Sequence, residues 1–338
     1  MGKSAKPKAA SSAASRSRKG PPFTLQAIGK TDVGLVREGN EDALVIMPDQ
    51  GLYVVADGMG GHNCGEVASQ FAIEAMMAFF DSAEILKKVR KAHKAAREQL
   101  PKEQRDVSHH ALRLRKAVES ANISVFRLSQ QHEALRDMGT TVVGCSVVGS
   151  RLYVANVGDS RLYRLRAGKL EQLTEDHSLV NEYLKMNMLR PEDVETFPYK
   201  NVIVRAVGLH ERVGVDVTHA TLRPGDRILL CSDGLSDLLR DREIEATLNA
   251  ATSLEEAADE LIAFAKDRGG HDNITVLMLY CAPPGEDVEP GRFLRLPKLS
   301  EDADTEPLAA PPGPPPPPPP SGPAPVAPPP PGPGPVKD

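Results

Sequence analysis

The chain has 338 residues, a formal net charge of -5, 40% hydrophobic residues, 4% aromatics and no tryptophan. A mildly acidic chain has no general attraction for nucleic acid or an anionic membrane, and one so poor in aromatics lacks platforms for stacking bases. The apolar content is enough for a sizeable core, so one large domain or two ordinary ones are expected.

Residues 1–22 are rich in Lys, Arg, Ala, Ser and Pro and hold no acid. They read as a basic, solvated, disordered tail. Lys6 stands where a myristoylation signal needs Ser or Thr. Neither a secretory signal nor the apolar run of a spanning helix is visible, so a cytoplasmic protein without a membrane span is expected. Apolar–polar alternation predicts strands at 25–30, 44–48 and 52–56. Helical spacing follows at 65–80, in the charged stretch 83–99 and at 107–131. Three more strands are expected at 141–148, 152–157 and 162–165, and the two-residue links 149–150 and 167–168 read as hairpin turns. A strand at 227–231, helices at 241–250 and 254–266, and a last strand at 274–280 complete the elements. Strands joined by hairpins, with helices in blocks, imply antiparallel sheets and not a doubly wound parallel sheet. Residues 283–338 hold most of the 30 prolines. The proline run 314–320 lacks N–H donors and reads as polyproline II, a spacer or a docking segment. One folded domain at 23–282 remains between the two tails. Cys64, Cys145, Cys231 and Cys281 lie far apart without a C-x-x-C pair, as expected of buried thiols in a reducing compartment.

The chemistry sits on acids beside small residues at the expected strand ends. VVADGMGGH delivers Asp57 and Gly58, then Gly60, Gly61 and His62; RILLCSDGLSD delivers Asp233 and Gly234 in the same way. Asp272 precedes the last strand in GGHDNITV, and Asp159 lies between two strands in VANVGDSRLY. A glycine beside such an acid lets the backbone turn and brings a carbonyl near whatever the carboxylate holds. Carboxylates gathered this way repel one another unless a cation lies between them. An oxygen-only ligand set selects hard ions, Mg²⁺ or Mn²⁺, and two such ions about 3.5–4 Å apart can share a bridging hydroxide as nucleophile.

In order and spacing, VGLVREGNEDA (33–43), VVADGMGGH (54–62), MGTTVVG (138–144), VANVGDSRLYRL (154–165), LLCSDGLSD (229–237) and GGHDNITV (269–276) resemble the type 2C metal-dependent serine/threonine protein phosphatases, their bacterial members above all. The resemblance implies an α+β fold: a four-layer αββα sandwich of two antiparallel sheets flanked by helices, with a binuclear metal centre at one end. It implies that Asp57 bridges two Mn²⁺ or Mg²⁺ ions, the Gly58 carbonyl contacts one, and Asp233 and Asp272 hold the other. Glu41 reaches a metal through water with Asp42 in support, and Asp159 joins Asp233 at a third, weaker site. Arg37 binds the substrate phosphate, His62 is the general acid, and 179–196 forms a mobile flap. The implied activity is hydrolysis of phosphoserine and phosphothreonine on proteins, opposing a serine/threonine kinase, by a monomer that binds no nucleic acid.

Each residue also has a blander reading. Arg37 alone is a surface arginine paired to Glu38 or Glu41. His62 alone is a loop residue or an extra metal ligand. His109 and His110, in a charged helical stretch, read as solvated, and no catalytic role is expected for His271. A catalytically dead binding module would lack Asp57, Asp233 or Asp272, and all three are present. A two-metal phosphodiesterase would include histidine among its ligands.

Overall fold

The computed structural model describes residues 22–60, 64–99 and 108–285. His62 and the tails, 1–21 and 286–338, lie outside the described residues. One sheet runs β1 (Thr24–Asp32), β11 (Ile274–Ala282), β10 (Arg227–Cys231), β7 (Arg161–Arg166), β8 (Lys169–Gln172). The other runs β2 (Asp42–Met47), β3 (Leu52–Met59), β5 (Val142–Val148), β6 (Arg151–Val157), β9 (Asp216–Thr221), and the two-residue β4 (Gly139–Thr140) pairs with the end of β3. All of these pairings are antiparallel, as hairpin connections require. The two expected hairpin turns are present. Gly149 has φ 61° at the first position of its turn, and Ala167 and Gly168 have φ 49° and 77° at both positions of theirs, which matches the right-handed strand twist.

The sheets pack face to face. Leu44, Tyr53, Val143 and Val154 of one meet Leu162, Ile228, Leu277 and Leu279 of the other. On the outer face of the second sheet, Val54, Ala56 and Val142 are covered by α1 (Cys64–Asp81), α2 (Ala83–Gln99) and α3 (His109–Gln131). On the outer face of the first, Tyr163, Val276 and Met278 are covered by α6 (Asp241–Ala250) and α7 (Leu254–Asp267). This is the expected four-layer sandwich. Because β11 is covered on both faces, its sequence ITVLMLYCA is apolar almost throughout and does not alternate. All four cysteines are buried and form no disulfide.

The sequence reading misses β8 and β9. Both are edge strands with largely exposed side chains, so neither carries the apolar alternation that marks a strand. The stretch 179–196 is not irregular throughout: it holds α4 (Leu179–Lys185), capped by the Ser178 hydroxyl, and a 3-10 turn at Pro191–Thr196. The expectation of solvated His109 and His110 is also corrected. Their rings lie 4.8 Å apart, half-buried, with His93 on one side and the Tyr153 ring stacked on the other. α2 and β6 enclose them, and these are partners that the local charge pattern does not report.

Candidate active site

Asp57 does not end its strand, as expected from the sequence, but lies within β3, directly opposite Asp42 on β2. Its backbone is held by a threonine pair. The Asp57 N–H donates to Thr141 Oγ1 at 3.1 Å, and its carbonyl accepts from Thr141 N–H and Thr140 Oγ1, both at 2.8 Å. Gly58 therefore serves close approach and not a turn. A Cβ there would stand 2.0 Å from the Gly65 carbonyl oxygen and 2.6 Å from that of Glu41. Gly234 is alike: it lies in the one-turn helix α5 (Asp233–Ser236), where a Cβ would be 2.1 Å from the Asn273 carbonyl oxygen.

The acids gather from distant parts of the chain. The Asp57 and Asp233 carboxyls adjoin, each within reach of the other's charge. Burial, then the neighbouring Asp233 and Asp42, holds Asp57 well above the ordinary carboxylate range. Burial, followed by Asp237 and Asp272, pushes Asp233 up to about 6. Asp159, on the β6–β7 turn, is 9% exposed and is raised by burial and by Asp233. Asp42 is 5% exposed, accepts from Ser232 Oγ at 2.8 Å, and is pushed up by burial to about 7. Within this group, Asp42 Oδ1, Asp159 Oδ1 and Asp233 Oδ1 are buried without a hydrogen-bond partner. These are the marks of like charges crowded on a rigid scaffold. Among the described residues, no three acidic, histidine or cysteine side chains close on one point as a finished metal cluster; the acids adjoin pairwise.

The loop between β1 and β2 carries Arg37 and Glu41. Arg37 pairs with neither Glu38 nor Glu41: its Nη2 donates to Asp272 Oδ2 at 2.7 Å. Glu41 lies over the first turn of α1, with its carboxylate against the Gly65 backbone. Burial raises the Glu41 pKa, with Arg37 and the Gly65 backbone acting against it. A Cβ on Gly65 would meet the Glu41 carboxylate at 2.6–2.8 Å. The loop is locked by Asn273, a residue that sequence reasoning misses. Its Oδ1 accepts from Glu41 N–H at 2.8 Å, and its Nδ2 donates to the Val33 and Gly39 carbonyls at 3.0 and 2.9 Å. The asparagine directly after Asp272 was the available signal, as was the threonine pair in MGTT. Gly34, at φ 80°, lets the loop touch the Asp272 backbone, where a Cβ would be 2.3 Å from the carbonyl oxygen.

Beside the acids opens a cleft of about 1120 Å³ that includes Asp159 and Asp233. Ser178, Asn181, Lys200, Asp237 and Arg240 are among the residues that line it. Arg161 stands in it with its guanidinium on Asp176, at 2.7–3.1 Å.

The sequence model of Protein phosphatase 2C matches residues 37–275. The chain belongs to that family. It is 37% identical over 258 residues to the serine/threonine phosphatase Stp of Listeria welshimeri, a match covering 75% of this chain and 95% of that one. The crystal structure of the Mycobacterium tuberculosis serine/threonine phosphatase PstP/Ppp superposes with a TM-score of 0.65 at 34% identity, covering 76% of this chain and 99% of that one. A structure of the PstP catalytic domain in complex with two manganese ions superposes with a TM-score of 0.62 at 33% identity, covering 76% and 98%. Two antiparallel sheets flanked by helices are the shared protein phosphatase 2C architecture.

Proposed function

We propose that this chain is a metal-dependent phosphatase that hydrolyses phosphoserine and phosphothreonine on proteins. The observation that carries this reading is the gathering of Asp57, Asp159, Asp233 and Asp272, with Arg37 beside them, in a member of the protein phosphatase 2C family. The residues fit a pair of Mn²⁺ or Mg²⁺ ions. The donors are all oxygens, they repel one another, and three buried carboxylate oxygens lack partners. Asp57, Asp233, Asp272 and the Gly58 carbonyl would hold the two ions, with Glu41 and Asp42 in support and Asp159 at a third, weaker site. When bound, such ions activate water near neutral pH and offset phosphoryl charge. Arg37 binds the phosphoryl oxygens, and its pairing with Asp272 keeps the guanidinium aimed at the site until substrate arrives. His62 donates a proton to the departing serine or threonine oxygen. The large cleft accepts the surrounding polypeptide.

Phosphoserine and phosphothreonine arise by phosphoryl transfer to hydroxyls, so a serine/threonine kinase supplies the substrate. We infer also a cytoplasmic monomer; among the described residues, no helix is long and apolar enough to cross a membrane. Comparing the phosphoproteomes of cells with and without the protein tests the kinase relation, and light scattering tests the monomer.

The activity is tested on a phosphothreonine peptide and on p-nitrophenyl phosphate. Chelation should abolish turnover of both and Mn²⁺ should restore it. Asp57→Asn should be inactive yet folded. His62→Gln should lose roughly 10²-fold or more on the peptide, whose alkoxide needs a proton, and much less on the nitrophenyl ester. Full turnover after chelation, or in Asp57→Asn, sinks the reading. Equal losses in His62→Gln remove only the general-acid role.

A further inference from the structure

His177 is 2% exposed and has no part in the chemistry above, yet three separate pieces of the molecule meet on it. The first is the turn that carries Asp159. Two hydrogen bonds tie it to His177: Gly158 N–H donates to the ring Nδ1 at 3.0 Å, and His177 N–H donates to the Gly158 carbonyl at 2.9 Å. That turn is strained enough to need its glycine. Gly158 has φ 110°, and a Cβ would stand 2.6 Å from Thr141 Cβ. The second piece is the start of the segment 178–203, which leaves directly from His177. The third is the return of that segment. Val204 N–H donates to the His177 carbonyl at 2.9 Å, Leu179 N–H donates to the Val202 carbonyl at 2.8 Å, and Ser178 bridges Ile203. On its other edge the ring Nε2 lies 3.1 Å from Asp216 Oδ2 and 3.0 Å from Arg205 Nη1, and that Nη1 donates to Asp216 Oδ1 at 2.9 Å, so the carboxylate serves both the ring and the guanidinium. A ring whose Nδ1 accepts an amide hydrogen carries its own proton on Nε2, facing the Asp216 carboxylate.

We propose that His177 is a positioning residue that clamps both roots of the segment 178–203 to the Gly158–Asp159 turn. The segment lines the cleft through Ser178, Asn181 and Lys200, so polypeptide entering the cleft and the placement of the Asp159 carboxylate become one coupled event. This rests on the reading of Asp159 as a metal ligand.

Two substitutions split the ring's roles. His177→Asn keeps an acceptor near Nδ1 and gives up the Asp216 bond. His177→Gln reaches Asp216 and gives up the acceptor for Gly158. In the full-length protein, H177Q should lower kcat/KM on the phosphothreonine peptide about tenfold, while D159N/H177Q should match D159N alone within about twofold. H177N should recover most of the loss. Amide exchange at Gly158, read by NMR without reference to activity, should speed up about tenfold or more in H177Q and change little in H177N. Losses that multiply in the double variant, or unchanged Gly158 exchange in H177Q, overturn the clamp. Full turnover in D159N alone overturns the coupling and leaves the Asp57-based activity standing. If H177Q does not fold, H177N decides: raised Gly158 exchange or lost turnover there overturns the proposal.

Discussion

Asn273 bonds three separate backbone groups of the loop that carries Arg37 and Glu41 and is 4% exposed. Asn273→Ala leaves those groups without their partner, and buried polar groups left so cost about 1–3 kcal/mol each at most. The expected outcome is a melting temperature several degrees lower, together with a raised KM for phosphopeptide as Arg37 loses its support. A KM unchanged within twofold would show that the loop stands without Asn273. Gly65→Ala separates stability from function. The collision is with the end of the Glu41 side chain, which can swing away, so the loss of stability should stay under about 1 kcal/mol. Glu41 must move, however, and the metal concentration for half-maximal activity should rise. Titration of activity against Mn²⁺ checks this, and an unchanged midpoint would remove Glu41 from metal binding.

Between α2 and α3 lies a group of rings and cations with a definite response to pH. Burial, followed by His110, Arg90, His93 and Arg113, depresses His109 to about 4, and burial and the same arginines depress His110. Tyr153 of β6 stacks on His110, and His219 of β9 lies beyond it. A histidine whose folded pKa lies below the unfolded value of about 6.5 binds more protons when unfolded. It therefore lowers stability progressively as pH falls from about 6.5 towards 4, and adds no further slope below both values. His109→Gln/His110→Gln should show a smaller fall in melting temperature over that range than the unaltered protein. Parallel curves would mean that the rings titrate freely. The cluster also shows how an element can mislead: α2 and α3 are rich in basic residues, but the histidines face inward.

At the scale of the whole molecule, the site exists because the two sheets bring together strand ends and loops that are remote in sequence. Arg37 and Asp272 meet across 235 positions, and Ser232 and Asp42 across 190. The last strand closes this arrangement. β11 pairs with β1 as far as Ala282 and with β10 as far as Tyr280. A chain ending at Gly285 therefore keeps every described strand pairing, and should keep its melting temperature and its turnover of p-nitrophenyl phosphate. Loss of either would show that residues 286–338 contribute to the catalytic domain.

The local chemistry was legible in the sequence: apolar alternation for the central strands, glycines where the backbone must come close, and acids of the right type for hard cations. These follow from residue type and short-range spacing, which act within a few positions. The edge strands β8 and β9, the inward-facing His109 and His110, the Arg37–Asp272 pair and the partners of Asn273 and His177 were decided only by the tertiary structure. Each depends on a partner supplied by another element, and burial and hydrogen bonding between distant segments leave no periodic trace in either one.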